Sequence, residues 1–135
     1  MEYLEALAQQ GRDANPFFRL MEVEVGSYGN GTAALSMAVR PDMLNGVGWL
    51  QGGLYVALAD EAMALALTTA LKPGEGIATI SENTGFLKGV NRGTITATAR
   101  VVRKGRRVAF TESDVCAEDG TLLSRTSAAF AVVQE

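Results

Sequence analysis

Gln51-Gly52-Gly53-Leu54-Tyr55-Val56-Ala57-Leu58-Ala59-Asp60 opens the most apolar stretch of the chain. The spacing predicts a helix over residues 52–71, launched by the glycine pair and stopped by Lys72-Pro73-Gly74. At 1.5 Å per residue it spans roughly 30 Å. It is apolar nearly all round, so it must be a core helix wrapped by other structure. Its first turn offers backbone N–H groups that have no acceptor within the helix. Two to three turns further in, Asp60 stands among Leu, Val and Ala, with no Lys or Arg within a turn of it. N–H donors can hold a developing oxyanion, and a desolvated carboxylate suits a base near neutral pH. Acyl transfer uses that pairing.

On the N-terminal side, Leu4, Leu7 and Ala8 predict a short amphipathic helix over 2–10, with Gly11 as its stop. Asn15-Pro16 reads as a break. Residues 17–27 alternate in part and read as a first strand. Tyr28-Gly29-Asn30-Gly31 is a turn, and 32–40 is the return strand of a hairpin. Residues 41–50 form a loop punctuated by Asn45-Gly46 and Gly48. After the long helix come four strands, over 76–88, 94–103, 107–117 and 121–133. In the second of these, Thr94, Thr96, Thr98 and Arg100 share one face and Ile95, Ala97, Ala99 and Val101 the other. The expectation is one α+β domain over residues 1–135. Residues 1–14 are its N-terminal helical segment, and a curved antiparallel sheet of five to six strands wraps the long helix. Free sheet edges invite pairing with a second copy.

The chain has 135 residues, 47% hydrophobic and 20% charged, with a net charge of −3. That balance supports a folded core and argues against a nucleic-acid binder, which shows a basic face. The acidic start Met1-Glu2-Tyr3-Leu4-Glu5 lacks the basic region of a secretory signal. Asp60 and Glu61 interrupt the longest apolar run, so no membrane association is expected and a cytoplasmic location is. Cys116 is the single cysteine, which excludes an intrachain disulfide; it reads as a small hydrophobe. The chain has no histidine. Ser-His-Asp and Cys-His mechanisms and His-rich or Cys-built metal sites are therefore excluded. No metal or other cofactor is expected.

The element order, and the motif from Asn45 through Gln51-Gly52-Gly53 to Asp60, resemble the hotdog-fold acyl-CoA thioesterases, in particular the phenylacetate-pathway branch. That branch has Asn, five residues, His-Gly-Gly, and then, at the seventh position after the second Gly, an acid in a Leu-Ala-Asp setting. Asn45, Gly52, Gly53, Leu58, Ala59 and Asp60 fall in step. The Gly105-Arg106 and Asp119-Gly120-Thr121 turns match as well. The resemblance covers residues 17–133. It implies hydrolysis of an acyl-CoA, with coenzyme A entering as part of the substrate. Asp60 would be nucleophile or general base, the Gly53 N–H would polarise the carbonyl, and Asn45 would position the acid or water. It also implies sites built from both chains of a homodimer, or of a dimer of dimers (a homotetramer). One departure is Gln51, where the branch has His. Gln can donate a hydrogen bond but cannot carry or shuttle a proton. Ala64 stands where some relatives have a catalytic serine or threonine.

Each residue has a plainer reading beside this one. Asp60 could be solvated or hold a neighbour. Glu61, about 100° further round the helix, suits a structural partner in the sheet or dimer. Gly52 and Gly53 could serve only a tight helix entry, Asn45 only a turn, and Gln51 only the helix start. Thr84 could face the pocket or simply favour a strand. Leu54, Leu58 and Met63 are candidates for the acyl pocket. Arg103, Lys104, Arg106 and Arg107 could meet the phosphates of coenzyme A or merely be solvated. Retention of Asp60 favours the enzyme. Loss of the His leaves a non-catalytic acyl-CoA-binding or sensing protein as the alternative, and a dehydratase lacks its usual His.

Overall fold

The computed structural model describes residues 2–135. Helix α1 spans Glu2–Gln10, as the spacing predicts. Gly11, at φ +58°, turns the chain into a single 3₁₀ turn over Gly11–Ala14. Asn15-Pro16 then starts an element where a break and a strand were expected. Helix α2 runs Pro16–Met21. The Asn15 side-chain oxygen accepts from the N–H groups of Phe17 (3.0 Å) and Phe18 (3.3 Å). Pro16 fills the first helical position, where its missing N–H costs nothing. The residues read as a strand over 17–27 thus divide into a helix and a shorter strand. Phe18 and Met21 go to the core from one helical face, and strand β1 begins only at Glu24 (Glu24–Gly29).

Strand β2 (Thr32–Ala38) returns from the Gly29-Asn30-Gly31 turn, whose three residues all have positive φ. Helix α3 spans Gly52–Thr68, three residues short of the expected end. Its threonines explain the early stop. The hydroxyls of Thr68 and Thr69 donate back to the carbonyls of Ala64 and Ala66, each at 2.7 Å, and β-branched residues are poor helix formers. Four strands follow: β3 (Glu75–Phe86), β4 (Thr94–Lys104), β5 (Val108–Ala117) and β6 (Leu122–Gln134). All six form one antiparallel sheet in the order β1-β2-β4-β5-β6-β3.

The inner face carries the core. α3 packs chiefly on β2, β4 and β5, and only its margin reaches β3 and β6. Ala59, Ala62 and Ala66 of the helix and Ala33, Ala97 and Ala99 of the sheet are buried together, and such small residues let the two layers come close. Ile95, Ala97 and Ala99 point inward, as the alternation predicts. Towards β3 the inner face turns polar. Thr111, Ser113, Ser124 and Thr126 are buried there. In register, Glu82 lies opposite Ala128, and Ala128 opposite Thr111. Thr84 lies opposite Thr126, and their hydroxyls meet at 2.8 Å.

Candidate active site

Asp60 sits near the middle of α3, half-buried, and its Oδ1 is buried with no hydrogen-bond partner. A carboxylate oxygen cut off from water and left unpaired costs stability, and such groups concentrate at functional sites. Glu82 of β3, whose Oε1 is likewise buried and unpartnered, comes within hydrogen-bonding reach of Asp60. Burial pushes the Glu82 carboxyl up to about 8, helped by the hydrogen bond and charge of Asp60. A second negative charge beside Asp60 is costly, so Glu82 keeps its proton to higher pH than an ordinary glutamate. Sequence reasoning missed Glu82. The available signal was its place in the alternation of β3, on the same inward set as Thr84.

Glu61 has a different fate. Its Oε1 accepts from Asn15 Nδ2 at 3.0 Å, and the same amide donates to Tyr3 Oη at 2.9 Å. Burial raises the Glu61 carboxyl, the Asn15 bond opposes the rise, and Asp60 adds to it. The structural partner expected for Glu61 exists. It is Asn15 of the N-terminal segment rather than a residue of the sheet.

The start of α3 lies at the end of a tightly tied loop. Asn45 Oδ1 accepts from the N–H groups of Val47 (3.0 Å) and Trp49 (3.1 Å). The Asn45 N–H donates to the Trp49 carbonyl at 2.7 Å, and the Gln51 N–H to the Met43 carbonyl at 3.0 Å. The Asn45 side-chain oxygen is thus engaged in shaping the loop. Gln51 precedes the helix in extended conformation and makes no side-chain cap. The exposed Gln51 side chain folds over Gly53, where an added Cβ would stand 2.8 Å from Gln51 Oε1. An added Cβ on Gly52 would touch the Phe86 ring at 3.6 Å. Asn45, Gly52, Tyr55, Phe86 and Lys88 border an open hollow of about 360 Å³. Tyr55 and Phe86 meet edge to face at 5.8 Å, and Tyr55 Oη accepts from the Val90 N–H at 3.2 Å.

Leu58 and Met63 are sealed in the core, and Leu54 is half-buried. Lys104 pairs with Glu75 at 2.9 Å, whereas Arg103 is exposed. Arg106 and Arg107 border a second hollow, about 540 Å³, together with Lys72. A third, about 480 Å³, is bordered by Glu82, Asn83, Val102, Phe110 and Thr111, and neither Asp60 nor Gly53 lines it. Among the described residues no three Cys, Asp or Glu side chains gather as a metal site would require. Asp60 lies seven positions beyond Gly53, so the donor end and the acid end lie roughly 10 Å apart along α3.

Residues 48–124 match the thioesterase superfamily. The chain belongs to that superfamily. It is 26% identical over 110 residues to the 1,4-dihydroxy-2-naphthoyl-CoA hydrolase of Listeria monocytogenes, covering 82% of this chain and 89% of that one. Its structure superposes on a thioesterase from Haemophilus influenzae with a TM-score of 0.83 at 25% identity, over 89% and 84% of the two chains. A variant of the phenylacetic acid degradation protein PaaI from Thermus thermophilus gives 0.80 at 28% identity, over 87% and 98%. These superfamily members share the hotdog arrangement of one long helix against one antiparallel sheet. Among the described residues no helix is long and apolar enough to cross a membrane.

Proposed function

We propose that this member of the superfamily hydrolyses an acyl-CoA thioester to a carboxylic acid and free coenzyme A. The observation that carries the reading is the buried, unpartnered Asp60 Oδ1 on the core helix, in phase with the Gly52-Gly53 entry. Asp60 takes a proton from water as the water oxygen attacks the thioester carbon. The Gly53 N–H holds the oxyanion that forms. Collapse of the tetrahedral centre breaks the C–S bond, and the proton on Asp60 returns to the departing sulfur. Direct attack by Asp60, forming an anhydride that water then opens, uses the same groups. Gln51 supports either course as a hydrogen-bond donor to the carbonyl. Asn45 contributes by holding the loop that presents the donors. Arg106 and Arg107, and Arg103 beside them, are the cations proposed to meet the phosphates of coenzyme A.

One carbonyl cannot touch an acid and a donor that lie roughly 10 Å apart on one helix. The two therefore come from different chains. β3 supplies the means: it is a long edge strand paired only to β6, with Ile80, Phe86 and Leu87 exposed along or just beyond it. Two copies joined along β3 about a two-fold axis make two equivalent sites.

Subunit complementation tests residues and arrangement together. Asp60→Asn removes the base, and Gly53→Pro removes the N–H at a first-turn position where proline is tolerated. Thiol release from a panel of short, medium and aromatic acyl-CoAs is expected to fall about 10²–10⁴-fold in Asp60→Asn. Gly53→Pro is expected to fall comparably. Refolded together in equal amounts, half of the dimers are mixed and each has one intact site, which restores about a quarter of wild-type activity. A mixture no better than its parents overturns the shared site. Full activity in either variant overturns the role of that residue. Binding of an acyl-CoA without turnover in wild type makes the protein a carrier or sensor.

A further inference from the structure

We propose that Glu82 is the proton-bearing partner of Asp60, a positioning residue that orients the catalytic carboxylate and sets the alkaline limit of the reaction. This rests on the hydrolytic reading above, and it adds a residue that the Asn45-to-Asp60 motif does not contain. Three observations carry it. Asp60 Oδ1 and Glu82 Oε1 are both buried, and neither has a partner among the other described residues. They belong to different elements, α3 and β3, which pack against each other, and the Asp60 side chain lies within hydrogen-bonding reach of Glu82. Among the described residues the sheet and helix positions around the pair offer no counter-charge. From β6 and β5 the row that contains Glu82 presents Ala128 and Thr111, which do not titrate. On α3, Glu61 is held by Asn15. The pairs Arg100–Glu112 and Arg125–Asp114 alternate onto the outer face of the sheet.

A carboxyl partly buried beside a second acid and away from cations keeps its proton to higher pH, because two adjacent negative charges cost more than one. Burial places that proton on Glu82, which is raised to about 8. The protonated acid donates to Asp60. It thereby holds one Asp60 oxygen and leaves the other free to act on water. Above its titration point Glu82 becomes a second anion beside the site. Asp60 loses its donor, and a negative charge faces the developing oxyanion. Activity then falls as pH rises.

Two measurements on the full chain test this. The first needs no turnover. Carbon-13 NMR of carboxyl-labelled protein is expected to show Glu82 titrating near pH 8 and moving down in Asp60→Asn. Titration of Glu82 in the ordinary glutamate range, or no change in Asp60→Asn, overturns the pairing even if the protein is a good thioesterase. The second is the pH profile of kcat. Glu82→Leu is expected to lose tenfold or more. Glu82→Gln, which donates as the protonated acid does but cannot ionise, is expected to recover most of the rate and to lack the alkaline fall. A Glu82→Gln profile that retains the wild-type alkaline limb, or a Gln variant no better than Leu, overturns the positioning role. Absence of turnover in wild type overturns the hydrolytic reading instead, and the NMR titration still decides the pair.

Discussion

Asp60 and Glu61 are consecutive acids on one helix, and their surroundings separate them. Glu61 turns to the N-terminal segment, where one side chain, Asn15, does three things. Its oxygen caps α2, its amide bonds Glu61, and the same amide bonds Tyr3. Asn15→Ala removes the cap and leaves Glu61 half-buried without its donor. The expected cost is about 2 kcal/mol, read as a lowered urea midpoint with an unchanged slope. Asp60 has no such tether. Thiol release by Asn15→Ala should therefore survive at temperatures where the variant stays folded. Loss of activity in a folded Asn15→Ala protein would place Asn15 nearer the chemistry than its contacts indicate.

At the scale of elements, the decisive one besides α3 is β3. It runs twelve residues, longer than β1 or β2, and pairs along one side only. A long unpaired edge carrying exposed Ile80, 58% accessible, is a liability unless another strand covers it. Ile80→Arg puts a charge on that edge. The expected outcome is a shift from dimer to monomer by light scattering, with far-ultraviolet circular dichroism unchanged and thiol release lost. A dimer that persists with full activity would mean that the copies join elsewhere. The hollow bordered by Phe110 and Val102 would then be the next surface to test.

For the whole molecule, the titrating groups fall into two sets with opposite signs. Glu61 and Glu82 are raised in the fold, chiefly by burial. For Glu82, the contribution to stability is complete below its ordinary value of 4.5, declines as pH rises, and is gone above about 8. Asp114 is lowered by its bonds to Arg125, Glu75 by the Lys72 N–H and by Lys104, and Asp119 by Thr121. Their contributions are present above the ordinary carboxylate range and are lost as pH falls through it. The two sets together place maximum stability on the mildly acidic side of neutrality. The melting temperature is expected to drop between pH 6 and pH 9, and Glu82→Gln to flatten that drop. Differential scanning across pH checks it, and an equal drop in both proteins would remove Glu82 as its cause.

The local signals were strong where pattern and tertiary environment agree. The uniformly apolar run after Gly53, the alternation of 94–101 and the glycine turns determined the core helix, its sheet and the position of Asp60, because burial enforces the same periods that the sequence displays. They failed at residues 17–27, where a side-chain cap from Asn15 and a proline at the first helical position outweighed a weak alternation. The end of α3 was also out of reach, since threonine hydroxyls closed the helix before the Lys72-Pro73-Gly74 signal. The site divides along the same line. Asn45, Gly52, Gly53 and Asp60 lie close in sequence, so their spacing was legible. Glu82 stands twenty-two residues beyond Asp60. Only the packing of α3 against β3 brings the two carboxyls together, and burial with Asp60 beside it raises Glu82. Sequence alone carries the spacing of groups along a chain; which acids meet, and at what electrostatic cost, is decided by the fold that surrounds them.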